Sequence, residues 1–461
     1  MTTHADAGSA VALAARLERL PVTRTMRVWF LLISLGVFWD TYLLYSIGSL
    51  SSEYLKDAGN ATLATNIPAA LFLGTFTGAI GLGRLADRIG RGAAFTVNLG
   101  VLIVGCLAAV VSPAGPLLLV AVFVAGIGTG AEIPLSVTYA QEIAPPSRRG
   151  WASSTTLCTG FIGGTAGGLA AYGLAKADLP WPALKVSLLI AAVGSAVAIV
   201  LRRRVPESPL WLARTGRDAA AEASLRRLED AVRRDLRGRS LPAPEPVSTV
   251  DTIGARRTST LDLFRRGYVR KTLSAWAIEL FQGFGSYGFT TFVPAILYAR
   301  GYELVHALGF TAIIQIAYPV GTYLSRFVTD RFPRKWGMAV FYVVNMLCGL
   351  GFFFADQVWL VVVFGFLTEM LIFISGPLLH TYEAEIYPPE LRGRGAGSSF
   401  SVSRLGGFLA PLAAGAIIAV TGQGAAAPYL ITAAAVSWFL CAGVAAFAAV
   451  STVVTPRPET R

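Results

Sequence analysis

Four acidic residues interrupt long apolar stretches of the sequence: Asp40, Glu132, Glu279 and Glu369. A charge inside a membrane helix costs about 2.5–3.5 kcal/mol on insertion scales, so each of these carboxylates is a functional candidate. Burial disfavours the charged form of a carboxyl, and access to water on one side lets it ionise. This chemistry suits proton carriage. We expect Asp40 or Glu132, which are nearest to mid-membrane, to carry the proton.

Arg404 is the embedded cation that the sequence singles out, about two turns into an apolar run. Two roles remain open for it: it neutralises one of the acids, or its planar fork binds a substrate carboxylate through two hydrogen bonds. Tyr42 and Tyr287 belong to aromatic-rich segments that could stack a planar ring or hold a cation. Gln282 adds hydrogen-bonding capacity, and His380 is interpreted as a packing or capping residue.

A charged motif occurs twice at the ends of apolar runs, at a constant offset of 243 residues. The first copy begins at Tyr139 and the second at Tyr382, and the shorter pattern Asp-Arg-x-x-Arg repeats with the same offset. Two unrelated motifs at one offset indicate an internal duplication. The charged residues of the two copies are Asp87, Arg88, Arg91, Glu142 and Arg149, then Asp330, Arg331, Arg334, Glu385 and Arg392.

These charges have two interpretations. Acids accompany the bases at matched spacing, which favours ion-pair clusters that hold an inner gate closed and break when two halves of the protein rock. Alternatively, the bases serve only to orient the chain in the membrane.

The composition places most of this chain in lipid. Hydrophobic residues make up 54% and charged residues 14%, and the mean hydropathy is +0.58. A spanning helix needs about 20 apolar residues. Twelve such runs lie near 28–50, 62–83, 93–112, 116–139, 153–175, 182–202, 271–299, 304–326, 336–355, 358–381, 396–420 and 427–450. The predicted fold is therefore an all-α integral membrane protein with twelve transmembrane helices.

Lysine and arginine concentrate after the even-numbered runs, so both termini are predicted to be cytoplasmic. The predicted segments are an N-terminal tail at 1–27, a first six-helix half at 28–202, a cytoplasmic loop at 203–270, a second half at 271–450 and a tail at 451–461. Within the loop, apolar residues from Leu225 to Leu236 at helical spacing predict an amphipathic helix that covers the inner face.

Several functions lack their sequence signals. The net charge of +12 comes from bases that flank apolar runs, so we expect no nucleic-acid binding. The four cysteines lie inside apolar runs and predict no disulfide framework. Walker A, His-Glu-x-x-His and Gly-x-Ser-x-Gly motifs do not occur. We therefore expect neither an enzyme nor a bound cofactor or metal.

The segment Gly83-Arg-Leu-Ala-Asp87-Arg88-Ile-Gly90-Arg91 resembles the loop 2–3 signature of the major facilitator superfamily. Pro206-Glu207-Ser208-Pro209 resembles a signature of its sugar-porter and organic-ion branches, and the segment from Gly126 to Pro134 resembles the metabolite:proton symporter group. Two pseudo-symmetric six-helix halves follow from this resemblance, with helices 1, 4, 7 and 10 lining a central cavity. One departure concerns the substrate, because Leu43 stands where aromatic-acid symporters tend to carry a second aspartate.

Together these features predict a secondary active transporter that works by proton symport with alternating access. The expected solute is a small organic molecule, in the first place an organic acid or related metabolite. The proton gradient is then the energy source, and the partners are the solute, protons and the lipid bilayer. We expect a monomer in a bacterial cytoplasmic (inner) membrane. The alternative is proton-coupled efflux of cationic or amphipathic compounds, which the excess of embedded acids favours.

Overall fold

The computed structural model is almost entirely helical. It describes residues 13–56, 62–177, 179–237, 241–243, 260–265, 267–328, 334–422 and 425–451. After a short helix at 13–18, the helices are α1 Arg24–Leu50, α2 Leu63–Ile89, α3 Arg91–Val111, α4 Pro116–Thr129, α5 Glu132–Ile143, α6 Arg149–Lys176, α7 Ala183–Arg202, α8 Pro209–Arg214, α9 Asp218–Asp235, α10 Val269–Ala299, α11 Leu304–Ile314, α12 Ala317–Val328, α13 Arg334–Phe354, α14 Val358–Ile386, α15 Pro389–Thr421 and α16 Ala426–Ser451.

Ten helical segments of the described chain are long and apolar enough to cross a membrane. Two of them join consecutive helices, α4 with α5 and α11 with α12. Helices α6 and α10, with 28 and 31 residues, correspond to the fifth and seventh predicted runs, and their content of small and polar residues lowers their hydropathy. The all-helical membrane fold is confirmed, and the helix pattern is consistent with twelve spans.

The chain forms two compact units. Unit 1 comprises Met1–Ile47 and Leu73–Ala255, and unit 2 comprises Gly48–Phe72 and Arg256–Arg461. The predicted halves follow chain order, whereas the contacts assign residues 48–72, which include the end of α1 and the start of α2, to the second unit.

The two units repeat one packing pattern. In unit 1, α3 packs against α4 and α7, and in unit 2, α13 packs against α14 and α16. These are equivalent helices if each unit derives from one six-helix ancestor. The duplicated packing agrees with the duplicated motifs of the sequence.

Amphipathic helix α9 covers an apolar cluster in unit 1, as its spacing predicts. Leu225, Leu228 and Val232 are fully buried there, beside the start of α1 and the end of α5. The N-terminal segment, predicted to be only a tail, also belongs to this cluster, because Leu17 and Leu20 are buried in it.

Ion pairs fix this N-terminal segment to α9. Arg16 contacts Glu222 and Glu229 at 2.7 and 2.9 Å, and the Thr25 backbone N–H donates to Asp235 at 2.8 Å. The hydrogen bond from Arg16 lowers the pKa of Glu222, and the bond from the Thr25 backbone lowers the pKa of Asp235. The docked segment is therefore stabilised by the ionised forms of these acids.

Candidate functional site

Glu132 occupies a break between two helices in unit 1. Helix α4 ends at Thr129 and α5 begins at Glu132, so the carboxylate lies in the first turn of α5, where the helix dipole favours negative charge. The residue is fully buried. Asn98 Nδ2 and Ser136 Oγ donate to its two oxygens at 3.2 and 3.1 Å.

A buried arginine lies beside this carboxylate. Arg202 is 4% exposed. Its guanidinium carbon lies 3.4 Å from the centre of the Phe95 ring and 4.6 Å from that of the Tyr139 ring. The guanidinium also interacts electrostatically with the Glu132 carboxylate. Arg404 is therefore not the only buried cation of the described chain. At the last position of the sixth run, Arg202 has the sequence pattern of an interfacial charge, and its burial depends on tertiary packing.

Gly36 of α1 contacts Glu132 directly. A methyl group built on Gly36 would overlap Glu132 Oε1 and the Phe95 ring. Because glycine alone leaves room for the carboxylate at this helix crossing, α1 and α5 approach each other closely. Sequence spacing does not reveal such a contact between distant helices.

The other predicted residues of unit 1 lie on α1. Asp40 is buried, one turn after Gly36. Tyr42 is also buried, packs edge-on against Trp39 with ring centres 5.3 Å apart, and accepts a hydrogen bond from Ser187 Oγ at 3.2 Å. Tyr42 is therefore part of the packing between α1 and α7.

Arg404 forms an aromatic-lined site in unit 2. Its Nη1 donates to the Tyr287 hydroxyl at 2.6 Å, and its guanidinium carbon lies 5.1 Å from the Tyr287 ring centre and 4.8 Å from that of Phe400. Phe72 packs against the Tyr287 ring at 4.8 Å. The structure thus brings the predicted Arg404 and Tyr287 together and adds Phe400.

Two further predicted residues of unit 2 make local contacts. Glu369 is buried in α14 and accepts a hydrogen bond from Thr290 of α10 at 2.7 Å. Gln282 Nε2 donates to Ser286 Oγ, one turn along the same helix, at 3.4 Å. Glu369 therefore links two helices, whereas Gln282 bonds within its own.

Glu279 belongs to a three-residue cluster that the sequence did not predict. Its partners are His380 and Glu383, both from α14, and the ligand-type atoms of the three side chains all lie within 4.8 Å of one another. His380 therefore contacts two buried carboxylates. The three-residue spacing of His380 and Glu383 places both on one face of a helix, but their meeting with α10 requires the tertiary fold.

A buried ion-pair cluster lies in unit 1 where α2 ends and α3 begins. Arg91 binds Glu142 through two hydrogen bonds of 3.0 Å, and it contacts Asp87 at 2.8 Å and the Ala86 carbonyl at 3.1 Å. The side chains of Arg91 and Glu142 are each 6% exposed, whereas that of Asp87 is 76% exposed. The structure brings together three of the residues that the repeated motif predicts for a gate.

The segment after α7 completes this cluster. Glu207 accepts hydrogen bonds from the backbone N–H groups of Arg91 and Gly92 at 3.1 and 3.0 Å, and so caps the start of α3. Gly90 has a φ of 101° and lies against the Trp211 ring, where a side chain would collide. The indole N–H of Trp211 donates to the Asp87 carbonyl at 3.0 Å.

The structure describes the side chains of only some of the remaining motif residues. Arg88 is exposed. Arg149 interacts electrostatically with Arg214 and Glu142. Glu385 is partly exposed. The second copy also contains residues that lie outside the described positions or whose side chains are not described: Asp330, Arg331, Arg334 and Arg392.

Comparison with known families identifies this arrangement of helices and motifs. The model of the Major Facilitator Superfamily matches residues 30–411 and again 311–461. The chain belongs to the Major Facilitator Superfamily. This family membership confirms the fold that the loop 2–3 motif and the internal duplication predicted.

Similar members of the Major Facilitator Superfamily cover nearly the whole chain. The putative metabolite transport protein YyaJ of Bacillus subtilis is 28% identical over 414 residues, which are 89% of this chain and 90% of that protein. The niacin transporter NiaP of Acinetobacter baylyi is 26% identical over 401 residues, or 87% of this chain and 89% of NiaP. In each case the alignment includes both duplicated units.

Among solved structures, the proton:xylose symporter XylE from E. coli superposes with a TM-score of 0.66 at 18% identity, covering 93% of this chain and 95% of XylE. This likeness shows the fold. The family match and the curated relatives, which are transporters, identify the chain as a membrane-spanning metabolite transporter of the Major Facilitator Superfamily and not an enzyme.

Proposed function

We propose that this transporter moves a small, planar organic acid by proton symport across the bacterial inner membrane. The observation that carries the proposal is the Arg404 site of unit 2. A guanidinium offers a planar pair of donors that matches a carboxylate, and the Tyr287 and Phe400 rings beside it suit a flat ligand.

The burial of Arg404, which is 2% exposed, adds to this argument. A buried guanidinium binds an anion more strongly than one in water, because the local dielectric constant is low. The Tyr287 hydroxyl already accepts a hydrogen bond from Nη1 of Arg404 and so orients the guanidinium group. NiaP supports the same chemistry, since niacin is an aromatic carboxylic acid.

For proton coupling we propose Asp40 or Glu132 of unit 1. Both carboxyls are buried, so protonation lets each remain in a dry site, and exposure to water lets it release the proton. Glu132 also has Asn98 and Ser136 as fixed hydrogen-bond donors. The name of XylE, a proton:xylose symporter, supports proton coupling on this fold.

The experiment measures binding of nicotinate, benzoate, xylose and a small amine to the purified transporter and to Arg404→Lys and Arg404→Ala. We expect the aromatic acids to bind, and Arg404→Lys to lose at least about 10-fold in affinity, since lysine lacks the planar fork. Arg326→Lys is the matched control, because Arg326 is also stacked on two aromatic rings, Tyr323 and Phe327, but is exposed.

Near-native affinity for an aromatic acid in Arg404→Lys would show that Arg404 is part of the scaffold. Preferential binding of the amine would instead favour proton-coupled efflux of cationic compounds. Preferential binding of xylose would favour a neutral solute.

A further inference from the structure

We propose that Glu279, His380 and Glu383 form a binding site for one divalent transition-metal cation, of which Zn²⁺ is the best match. The three residues come from two helices, α10 and α14 of unit 2. The test of this site needs neither the proposed substrate nor a proton gradient.

The first observation is geometric. His380 Nδ1 lies 3.4 Å from Glu383 Oε2 and 3.6 Å from Glu279 Oε1. Zinc binds nitrogen and carboxylate oxygen at about 2.0–2.2 Å in tetrahedral sites, so two of its ligand atoms lie about 3.4 Å apart. Two of the three separations in this cluster therefore already match those of a tetrahedral zinc site, and the third is within 4.8 Å, which would leave a fourth position for water.

The second observation is the burial of the acids. Glu279 and Glu383 are 1% and 0% exposed, and within the described chain the Oε1 atom of each accepts no hydrogen bond. Buried carboxylate oxygens normally have a hydrogen-bond donor, an ion-pair partner or a metal ion. His380 Nδ1 lies 3.6 Å from Glu279 Oε1, beyond hydrogen-bond distance, so a cation bound between the acids supplies the close partner that both Oε1 atoms lack.

The charge balance also favours a divalent ion. Two carboxylates meet here, and His380 is the basic side chain that contacts them within the cluster, at 3.4 and 3.6 Å. An imidazole that binds a metal ion is neutral, so both negative charges remain for the ion to compensate. His380 contributes an imidazole nitrogen, a good ligand for zinc and its neighbours in the transition series but a poor one for Mg²⁺ or Ca²⁺.

The three ligands differ in how far the protein covers them. The His380 side chain is 44% exposed, whereas the two acids are buried. His380 is therefore the residue of this cluster that the protein covers least. A metal ion bound there would tie α10 to α14.

The experiment titrates Co²⁺ into the full-length, tag-free transporter after chelator treatment and records the visible absorption of tetrahedral Co²⁺, followed by displacement with Zn²⁺. We expect one site per chain in the wild type. His380→Ala should weaken binding by at least about 100-fold, since one direct ligand is lost and even outer-shell changes cost 10–100-fold. Because His380 is partly exposed, this variant is expected to fold, which gel filtration verifies.

His306→Ala is the matched control. His306 and Glu303 form a similar histidine–glutamate pair at 3.5 Å with the same three-residue spacing, but both are exposed and they are not in the three-residue cluster. We expect this variant to bind Co²⁺ like the wild type. Zn²⁺ should also raise the thermal midpoint of the wild type and of His306→Ala but not that of His380→Ala.

Two results would overturn the site: no tetrahedral Co²⁺ signal in the wild type, or a signal that His380→Ala retains at unchanged affinity. In either case the acids would instead be stabilised by a shared proton. Neither result bears on the Arg404 proposal, because no transport or substrate measurement is involved.

Discussion

The Arg91 cluster gives a sharp prediction because its two acids differ so much in exposure. Glu142 is buried beside Arg91, whereas the Asp87 side chain is 76% exposed. Removing one partner of a buried ion pair costs about 3–5 kcal/mol, since the other charge stays buried. Breaking an exposed contact costs at most about 1 kcal/mol, because water screens it.

We therefore expect Glu142→Gln to lower the free energy of unfolding by about 3 kcal/mol or more, on the order of 100-fold in the folding equilibrium. Asp87→Asn should change it by less than about 1 kcal/mol. The assay is reversible unfolding in mixed micelles, followed by tryptophan fluorescence. Arg233→Met is the control for general surface effects, since Arg233 pairs with Asp230 at 3.2 Å on an exposed face.

A double-mutant cycle separates the pair from its surroundings. The double variant Arg91→Met with Glu142→Leu should lose less free energy of unfolding than the sum of the losses in Arg91→Met and in Glu142→Leu. The reason is that the double variant leaves neither charge buried. Equal destabilisation by Asp87→Asn and Glu142→Gln, or strict additivity in the cycle, would refute the assignment of this stability to a buried pair.

If the cluster acts as a gate, Asp87→Asn should slow turnover more than it weakens ligand binding; lost affinity with normal turnover per bound ligand counts against a gate. Gly36→Ala should displace the Glu132 side chain and abolish uphill transport, whereas Gly100→Ala, where a methyl group meets nothing within 4 Å, should be tolerated. Docking of the N-terminal segment should be constant from about pH 5 to 8 and loosen below about pH 4. The pKa values of Glu222 and Asp235 are lowered in the folded protein, so the stability that these acids contribute is lost when they are protonated. Limited proteolysis after Arg16 measures the loosening, and loosening near neutral pH would disprove the prediction.

The fold was predictable because its main signals are local. Apolar runs of spanning length and a repeated charged motif need no knowledge of tertiary contacts. The same holds for Asp87, Arg91 and Glu142, whose motif spacing indicated an ion-pair cluster that the structure forms.

The surroundings of the buried acids were not predictable, because they depend on which helix faces meet. Arg202 ends an apolar run and so resembles an interfacial charge, yet it stacks on Phe95 beside Glu132. His380 and Glu383 share a helix face that the sequence shows, but only the packing of α14 against α10 brings Glu279 to them.

The N-terminal helix at 13–18 was missed for a different reason. Its alanine-rich segment is too short to form a stable helix alone, so the sequence offered no strong periodic signal. Its stability comes from Leu17 in the apolar cluster and from the ion pairs of Arg16 with α9.

Proton-driven transport of a planar organic acid can be measured as uptake of labelled nicotinate into proteoliposomes with an imposed pH gradient. We expect accumulation above the external concentration, collapse of that accumulation when a protonophore is added, and loss of uphill transport in the double variant Asp40→Asn with Glu132→Gln, with some exchange retained. Uphill uptake that survives in the double variant would contradict the proposed coupling residues. Accumulation that does not depend on the pH gradient would contradict proton symport itself.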